Sequence, residues 1–182
     1  MGKLKKFYNE NGYYLPINVL ENDKINLSEK KLNALHNNPP SNIKHPWNLQ
    51  AHLLADWIYD LCVAPKLLDA VEEVIGPNIL IQSADIFIKP ARGIKHINWH
   101  QDANYWGLDP YELVTGWIAI TDVNLENGCM NYLPKSHLHQ KIEHTETFDK
   151  NSDLTRGQEI NLEINDKDIV PVILEKGQAA LH

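Results

Sequence analysis

The apolar positions of this chain change rhythm at Gly76. Before it they recur at helical intervals; after it they come in short β-branched and aromatic runs. Lys5 to Asn11 reads as a short helix stopped by Gly12, with Tyr13-Tyr14-Leu15 as a short strand after it. Leu27, Leu32 and Leu35 mark a second helix over Leu27–Leu35, and Asn37-Asn38-Pro39-Pro40-Ser41-Asn42 is a loop. From Leu49 to Val63 the spacing predicts one continuous helix, with Leu53, Ala55, Trp57, Ile58 and Leu61 on its buried face. Pro65 suits the first turn of a further helix to about Ile75, whose apolar side is Leu67, Leu68, Val71 and Val74.

Beyond the turn at Gly76-Pro77-Asn78, strands are expected. Ile79-Leu80-Ile81 and Ile86-Phe87-Ile88 are the first candidates, ending at Pro90. Trp99–Trp106, Val114–Val123 and Cys129–Leu133 follow, with Asn127-Gly128 as a hairpin-type turn. Lys135 to Ile160 is polar and lacks a period, so it reads as a long loop. Ile169–Leu174 and Gln178–Leu181 are short strands joined at Lys176-Gly177. Helices first and strands afterwards imply an α+β protein, or a mainly β core carrying an N-terminal helical layer. Serial short strands favour a sandwich or jelly roll. We expect a single domain, helical over 1–76 and β over 77–182.

Composition narrows the function classes. The 182 residues suffice for one substantial core, and 43% of them are hydrophobic, which excludes disorder along the whole chain. A net charge of −7 argues against a nucleic-acid binder. Cys62 and Cys129, the two cysteines, form neither a disulfide framework nor a CxxC motif, and suit a reducing compartment. The basic N-terminus has no apolar signal core behind it, and no apolar run reaches membrane-spanning length. A cytoplasmic protein without membrane or nucleic-acid partners is expected.

The chemistry concentrates in Trp99-His100-Gln101-Asp102. On an extended strand, residues two apart share a face. An imidazole and a carboxylate placed so can take adjacent corners of one metal ion, as in a 2-His-1-carboxylate iron site. The triplet alone is a weak signal, because a core histidine beside a turn aspartate has the same spacing. Trp99, Tyr105, Trp106 and Trp117 nearby would suit a dry pocket, although strand packing accounts for such residues as well. His137 and His139 lie in the polar stretch and are expected at the surface. His144, with Glu146, forms another His-x-carboxylate and is expected to face solvent.

Six ordered segments carry a resemblance. They are Ile75-Gly76-Pro77-Asn78; Phe87-Ile88-Lys89-Pro90; Trp99-His100-Gln101-Asp102 with Tyr105-Trp106; Thr115-Gly116-Trp117-Ile118-Ala119; Glu126-Asn127-Gly128-Cys129; and Leu133-Pro134-Lys135-Ser136-His137. Together they resemble the phytanoyl-CoA dioxygenase family of iron(II)- and 2-oxoglutarate-dependent oxygenases. Lys135 departs from the glycine usual there. The resemblance implies a double-stranded β-helix, or jelly roll, with His100 and Asp102 as iron ligands. It implies Gln101 and Trp117, and with them Asp85, at the 2-oxoglutarate pocket. It implies iron(II), 2-oxoglutarate and O2 as cofactor and cosubstrates, and a small metabolite or acyl derivative as substrate. Asp102 stands where related halogenases have a small residue, so hydroxylation is favoured over halogenation.

The same resemblance places a second iron-binding His about eleven residues past the glycine matched by Gly177, and a 2-oxoglutarate-binding Arg beyond it. His182 lies five residues past Gly177. It matches a position before the ligand, and the ligand role is not carried over to it. The chain is therefore expected to be C-terminally truncated, lacking the distal His, the Arg and its last two core strands. Unpaired strand edges would then favour association with another copy. The alternative reading is a non-catalytic β-sandwich module that binds a small molecule or a protein partner.

Overall fold

The computed structural model describes residues 2–109, 112–154 and 156–182. Helix α1 (Lys3–Asn11) ends as its sequence predicts. Gly12 takes φ 83°, a left-handed conformation that glycine adopts without steric cost, and its N–H returns to the Tyr8 carbonyl. Strand β1 (Tyr14–Asn18) follows, then α2 (Asn22–Asn37). The buried side of α2 is Ile25 and Ser28, with Leu32 and Leu35 half-buried beyond them. Leu27, expected on that face, is exposed.

The helix expected over Leu49–Val63 is two pieces. A 3-10 turn (Ala51–Leu53) precedes α3 (Asp56–Cys62). The break follows a competing backbone partner: Ala51 N–H donates to the Ala84 carbonyl, and Ile86 N–H to that of Asn48. Leu53 consequently points outward, 74% exposed, while Ile58 and Leu61 are buried. Helix α4 (Pro65–Ile75) matches expectation, with Pro65 in its first turn and Leu67, Ala70 and Val71 buried.

The stretch 79–88 forms no strand. Its backbone bonds go to the 48–51 segment instead of a sheet, and Ile86 alone among its apolar side chains is buried. The strand expected over Trp99–Trp106 is likewise absent. The chain turns at Asp102, which has helical φ −57° and ψ −38°, into a single helical turn, α5 (Ala103–Trp106). Lys135–Ile160, expected as loop, holds a 3-10 turn (Ser136–His139) and the antiparallel pair β4 (His144–Glu146) and β5 (Gln158–Ile160).

The remaining strands are β2 (Gly116–Ile118), β3 (Asn131–Tyr132), β6 (Val170–Pro171) and β7 (Gln178–Leu181). One antiparallel sheet has the order β1-β7-β2, and another joins β3 to β6. Asn127-Gly128 is thus not a hairpin tip. Strands β2 and β3 belong to different sheets, and the Asn124 and Asn127 side chains hold the turn by bonding nearby backbone. Among the described residues no helix is long and apolar enough to cross a membrane.

Strand β7 is the centre of the core. Ala179, Ala180 and Leu181 have no solvent exposure. Because alternate residues point to opposite faces, Ala179 and Leu181 meet Leu67, Ala70 and Val71 of α4 on one side. Ala180 meets Ala119, Tyr132, Val172 and Leu174 on the other. A third cluster, Ala51, Ile58 and Ile86, lies beneath α2 and α3. Gly177, before β7, has φ 89°, and a Cβ there would sit 3.1 Å from the Leu20 carbonyl oxygen.

Two substitutions test this placement by urea denaturation. Leu181→Ala should lower the unfolding free energy by about 2–5 kcal/mol through lost burial and a residual cavity. Gly177→Ala should lower it by about 1–3 kcal/mol through backbone strain. Values within a few tenths of zero for both would remove β7 from the core.

Candidate functional site

The alternation along β7 carries one step past the strand. His182 falls on the Ala180 side, facing the second sheet. Thr115 is its cross-strand neighbour: Thr115 N–H donates to the His182 carbonyl (2.8 Å), and His182 N–H to that of Thr115 (3.1 Å). By the same alternation Thr115 and Trp117 of β2 share this face. Gly116 and Ile118 face α4, and a Cβ on Gly116 would touch Leu67 Cδ1 at 3.1 Å.

Onto this face the turn at 98–102 delivers Asp102. Its Oδ1 lies 3.3 Å from His100 Nε2, and its Oδ2 lies 3.3 Å from His182 Nε2. The Thr115 hydroxyl donates to Oδ2. His100 Nδ1 meets the Asn98 carbonyl at 2.8 Å, and the Tyr105 ring stands edge-on to the imidazole, centroids 5.8 Å apart. His182 Nδ1 meets the Tyr132 hydroxyl at 2.8 Å. His100 and Asp102 do share a site, but through a turn and not through strand alternation.

The charges follow from this company. Burial pushes the Asp102 carboxyl up, yet hydrogen bonds from His100, His182 and Thr115 outweigh it and hold the group well below the usual carboxylate range. Burial pushes the His100 imidazole down, and the Asp102 carboxylate with the Asn98 carbonyl turns the net shift upward. Two phenols are kept neutral nearby. Burial first, then the Asp102 charge, pushes Tyr8 of α1 up to about 12, and the same causes raise Tyr132.

The other expected site residues lie differently. Gln101, between the two candidate ligands, faces the 140–144 segment: its Nε2 donates to the Gln140 carbonyl (2.8 Å), and its Oε1 accepts from Ile142 N–H (2.7 Å). Trp117 is half-buried against the second cluster. The exposed Asp85 carboxylate accepts from Gln50 N–H at 2.8 Å, and no contact brings it to His100 or Asp102. His144, expected in solvent, is half-buried. It accepts from Gln101 N–H at Nε2 (3.0 Å), and its Nδ1 meets the Ile142 carbonyl. Burial lowers its proton affinity, in keeping with a neutral ring in that role. Exposed His137 reaches the Asn9 carbonyl.

Does the pair fit a metal? His100 Nδ1 faces a carbonyl, which can only accept, so Nδ1 carries the proton and neutral His100 presents a bare Nε2. Bare Nε2 and carboxylate Oδ1 repel unless a cation lies between them: a proton in the metal-free protein, where the imidazole donates to Asp102, or a metal ion that takes the proton's place. Two donors about 2.1 Å from one metal ion and at right angles lie about 3 Å apart. The observed 3.3 Å fits such a pair. Among the described residues no group of three or more His, Cys, Asp or Glu is arranged to hold a metal ion, so the structure supplies two donors.

The phytanoyl-CoA dioxygenase family (PhyH) matches residues 8–182. The chain belongs to this family. Peroxisomal phytanoyl-CoA dioxygenase of Mus musculus is 25% identical over 156 residues, covering 73% of this chain and 46% of the mouse protein. Phytanoyl-CoA dioxygenase domain-containing protein 1 of Danio rerio is 33% identical over 115 residues, covering 60% and 38%. The chain thus spans less than half the length of these curated relatives. Among solved structures, the non-heme monooxygenase ThoJ in its apo form is 31% identical with a TM-score of 0.81, covering 99% of this chain and 67% of ThoJ. The epimerase SnoN, in complex with Fe3+, alpha ketoglutarate and nogalamycin RO, shares 18% identity and a TM-score of 0.67, a likeness of fold. Within this PhyH member the expected membership and the short-stranded, sheet-rich architecture both hold.

Tyr132, Tyr8 and Asn98 escaped the motif reading, and Thr115 and His182 were named in it without a role at the site. Thr115 was within reach, because it shares alternation with Trp117; Tyr8, on a helix far away in sequence, gave no signal.

The two opposed shifts set a pH window for the metal-free protein. A depressed Asp102 contributes stability above its unfolded value near 4, lost as pH falls through the folded value. A raised His100 contributes below its unfolded value of about 6.5, lost as pH rises through the folded value. The stability lost in Asp102→Asn should therefore peak between about pH 4 and 6.5 and shrink above it. Urea titrations of both proteins from pH 4 to 9 measure this, and a constant difference would contradict the pairing.

Proposed function

We propose that this chain forms an iron(II)- and 2-oxoglutarate-dependent oxygenase domain that hydroxylates a small molecule, on a double-stranded β-helix. The observation that carries the reading is the His100 ring, held by its Nδ1–H on the Asn98 carbonyl so that Nε2 faces Asp102 Oδ1 at 3.3 Å. Family membership and the likeness to ThoJ support the same chemistry. The facing of β1-β7-β2 toward β3 and β6 across the second cluster supports the jelly roll.

His100 and Asp102 would hold the iron. Bound iron(II) with 2-oxoglutarate supplies the activation of O2 that a C–H hydroxylation needs. The chain's own residues prepare the place for it. Asn98 fixes the His100 ring by accepting the Nδ1 proton. Tyr105 packs against that ring and bars rotation. Neutral Tyr8 and Tyr132 line the carboxylate's surroundings without adding charge, so the negative charge of Asp102 is left for a cation. Trp117, on the β2 face shared with Thr115, suits the wall of a 2-oxoglutarate pocket. Gln101 builds that wall from behind by fixing the 140–142 backbone.

Cobalt(II), followed by its visible spectrum, is the probe for the site. Wild-type protein at pH 7.5 should bind it, and His100→Ala and Asp102→Ala should each abolish binding. Affinity should fall in acid, because protons compete for His100 Nε2. Succinate release from 2-oxoglutarate with iron(II) and O2, above an iron-free blank, tests the reaction. No cobalt binding together with no succinate would instead favour a non-catalytic module that binds its partner through the same face.

A further inference from the structure

The two oxygens of Asp102 keep different company. Among the described residues Oδ1 faces only His100, whereas Oδ2 takes the Thr115 hydroxyl and faces His182 Nε2 at 3.3 Å. His182 Nδ1 faces a hydroxyl, which can donate as well as accept, so nothing there calls for a proton on Nδ1 and Nε2 carries it toward Oδ2. In the neutral ring Nδ1 is then a bare lone pair, and the Tyr132 hydroxyl, 2.8 Å away, donates to it. The partners therefore assign opposite tautomers to the two imidazoles beside one carboxylate: Nδ1–H for His100 and Nε2–H for His182.

We propose that His182 is a positioning residue for Asp102. It holds Oδ2 together with Thr115, leaves Oδ1 aimed toward His100, and has its own tautomer set by Tyr132. The role rests on the reading that His100 and Asp102 bind the metal. A ligand role suits His182 less, because its free nitrogen is already occupied by Tyr132 and its protonated one faces an oxygen. The backbone enforces the arrangement. Thr115 and His182 exchange both of their main-chain hydrogen bonds, so two adjacent strands present their donors to one oxygen. Hydrogen bonds to an ionised acceptor are the strong kind, and losing such a partner of a metal-ligating group typically costs about 10–100-fold in metal affinity.

The test has two arms. Long-range proton–nitrogen NMR spectra of the metal-free protein, recorded at alkaline pH above the raised titration of His100, should show the Nε2–H tautomer at His182 and Nδ1–H at His100. Cobalt(II) titrations should then show about 10–100-fold weaker binding in His182→Phe. His182→Gln, which keeps an N–H donor at similar reach, should recover most of it, and circular dichroism should confirm that both variants fold. An Nδ1–H tautomer at His182 overturns the proposal, as does unchanged affinity in His182→Phe. Binding abolished as fully as in His100→Ala, with no recovery in His182→Gln, makes His182 a ligand and also overturns it. Wild-type protein that takes no cobalt is a different failure: it removes the metal reading itself, and this role with it.

Discussion

Burial of one short strand on both faces governs this structure. Strand β7 has neighbours on either edge, β1 and β2, and packed side chains above and below. A strand so enclosed has no freedom of register, because a slip by one residue would turn Leu181 toward the second sheet and His182 toward the helices. The small side chains of Ala179 and Ala180 let the layers close on it. The hydrophobic effect thus fixes backbone position to within one residue, and the polar chemistry at the strand's end inherits that placement.

From this constraint the site follows in order. The register puts Thr115 opposite His182, and the shared face puts both toward Asp102. The turn at 98–102 contributes His100 and Asp102 from outside the sheet. Its geometry depends on the Asn98 carbonyl and on the hairpin of β4 and β5, which accepts and donates along its length: Ile160 N–H reaches the Trp99 carbonyl, and Asn98 Nδ2 reaches that of Gly157.

Local signals in the sequence were reliable where a single chemical cause decided the outcome. Gly12 and Gly177 marked turns that need a positive φ, Pro65 opened a helix, and Gln178–Leu181 was a strand in the structure as in the pattern. They failed where a distant backbone partner competed. Residues 48–51 and 84–86 satisfy one another, which splits one expected helix and removes one expected strand. The approach of His100 to Asp102 was legible because the type and spacing of the two residues suggested a shared site, even though a turn and not strand alternation brings them together. His144 and Tyr8 were not, because their roles depend on packing between segments far apart in the chain.

Gln101 has a mechanical consequence. It lies between the two candidate ligands, and both ends of its amide, together with its own N–H, are spent on residues 140–144. The hairpin therefore cannot withdraw from the turn without pulling at the peptide units that orient His100 and Asp102. Displacement of residues 140–144 and distortion of the His100–Asp102 pair are one movement, so whatever lodges against that segment is felt at the two facing side chains without touching them.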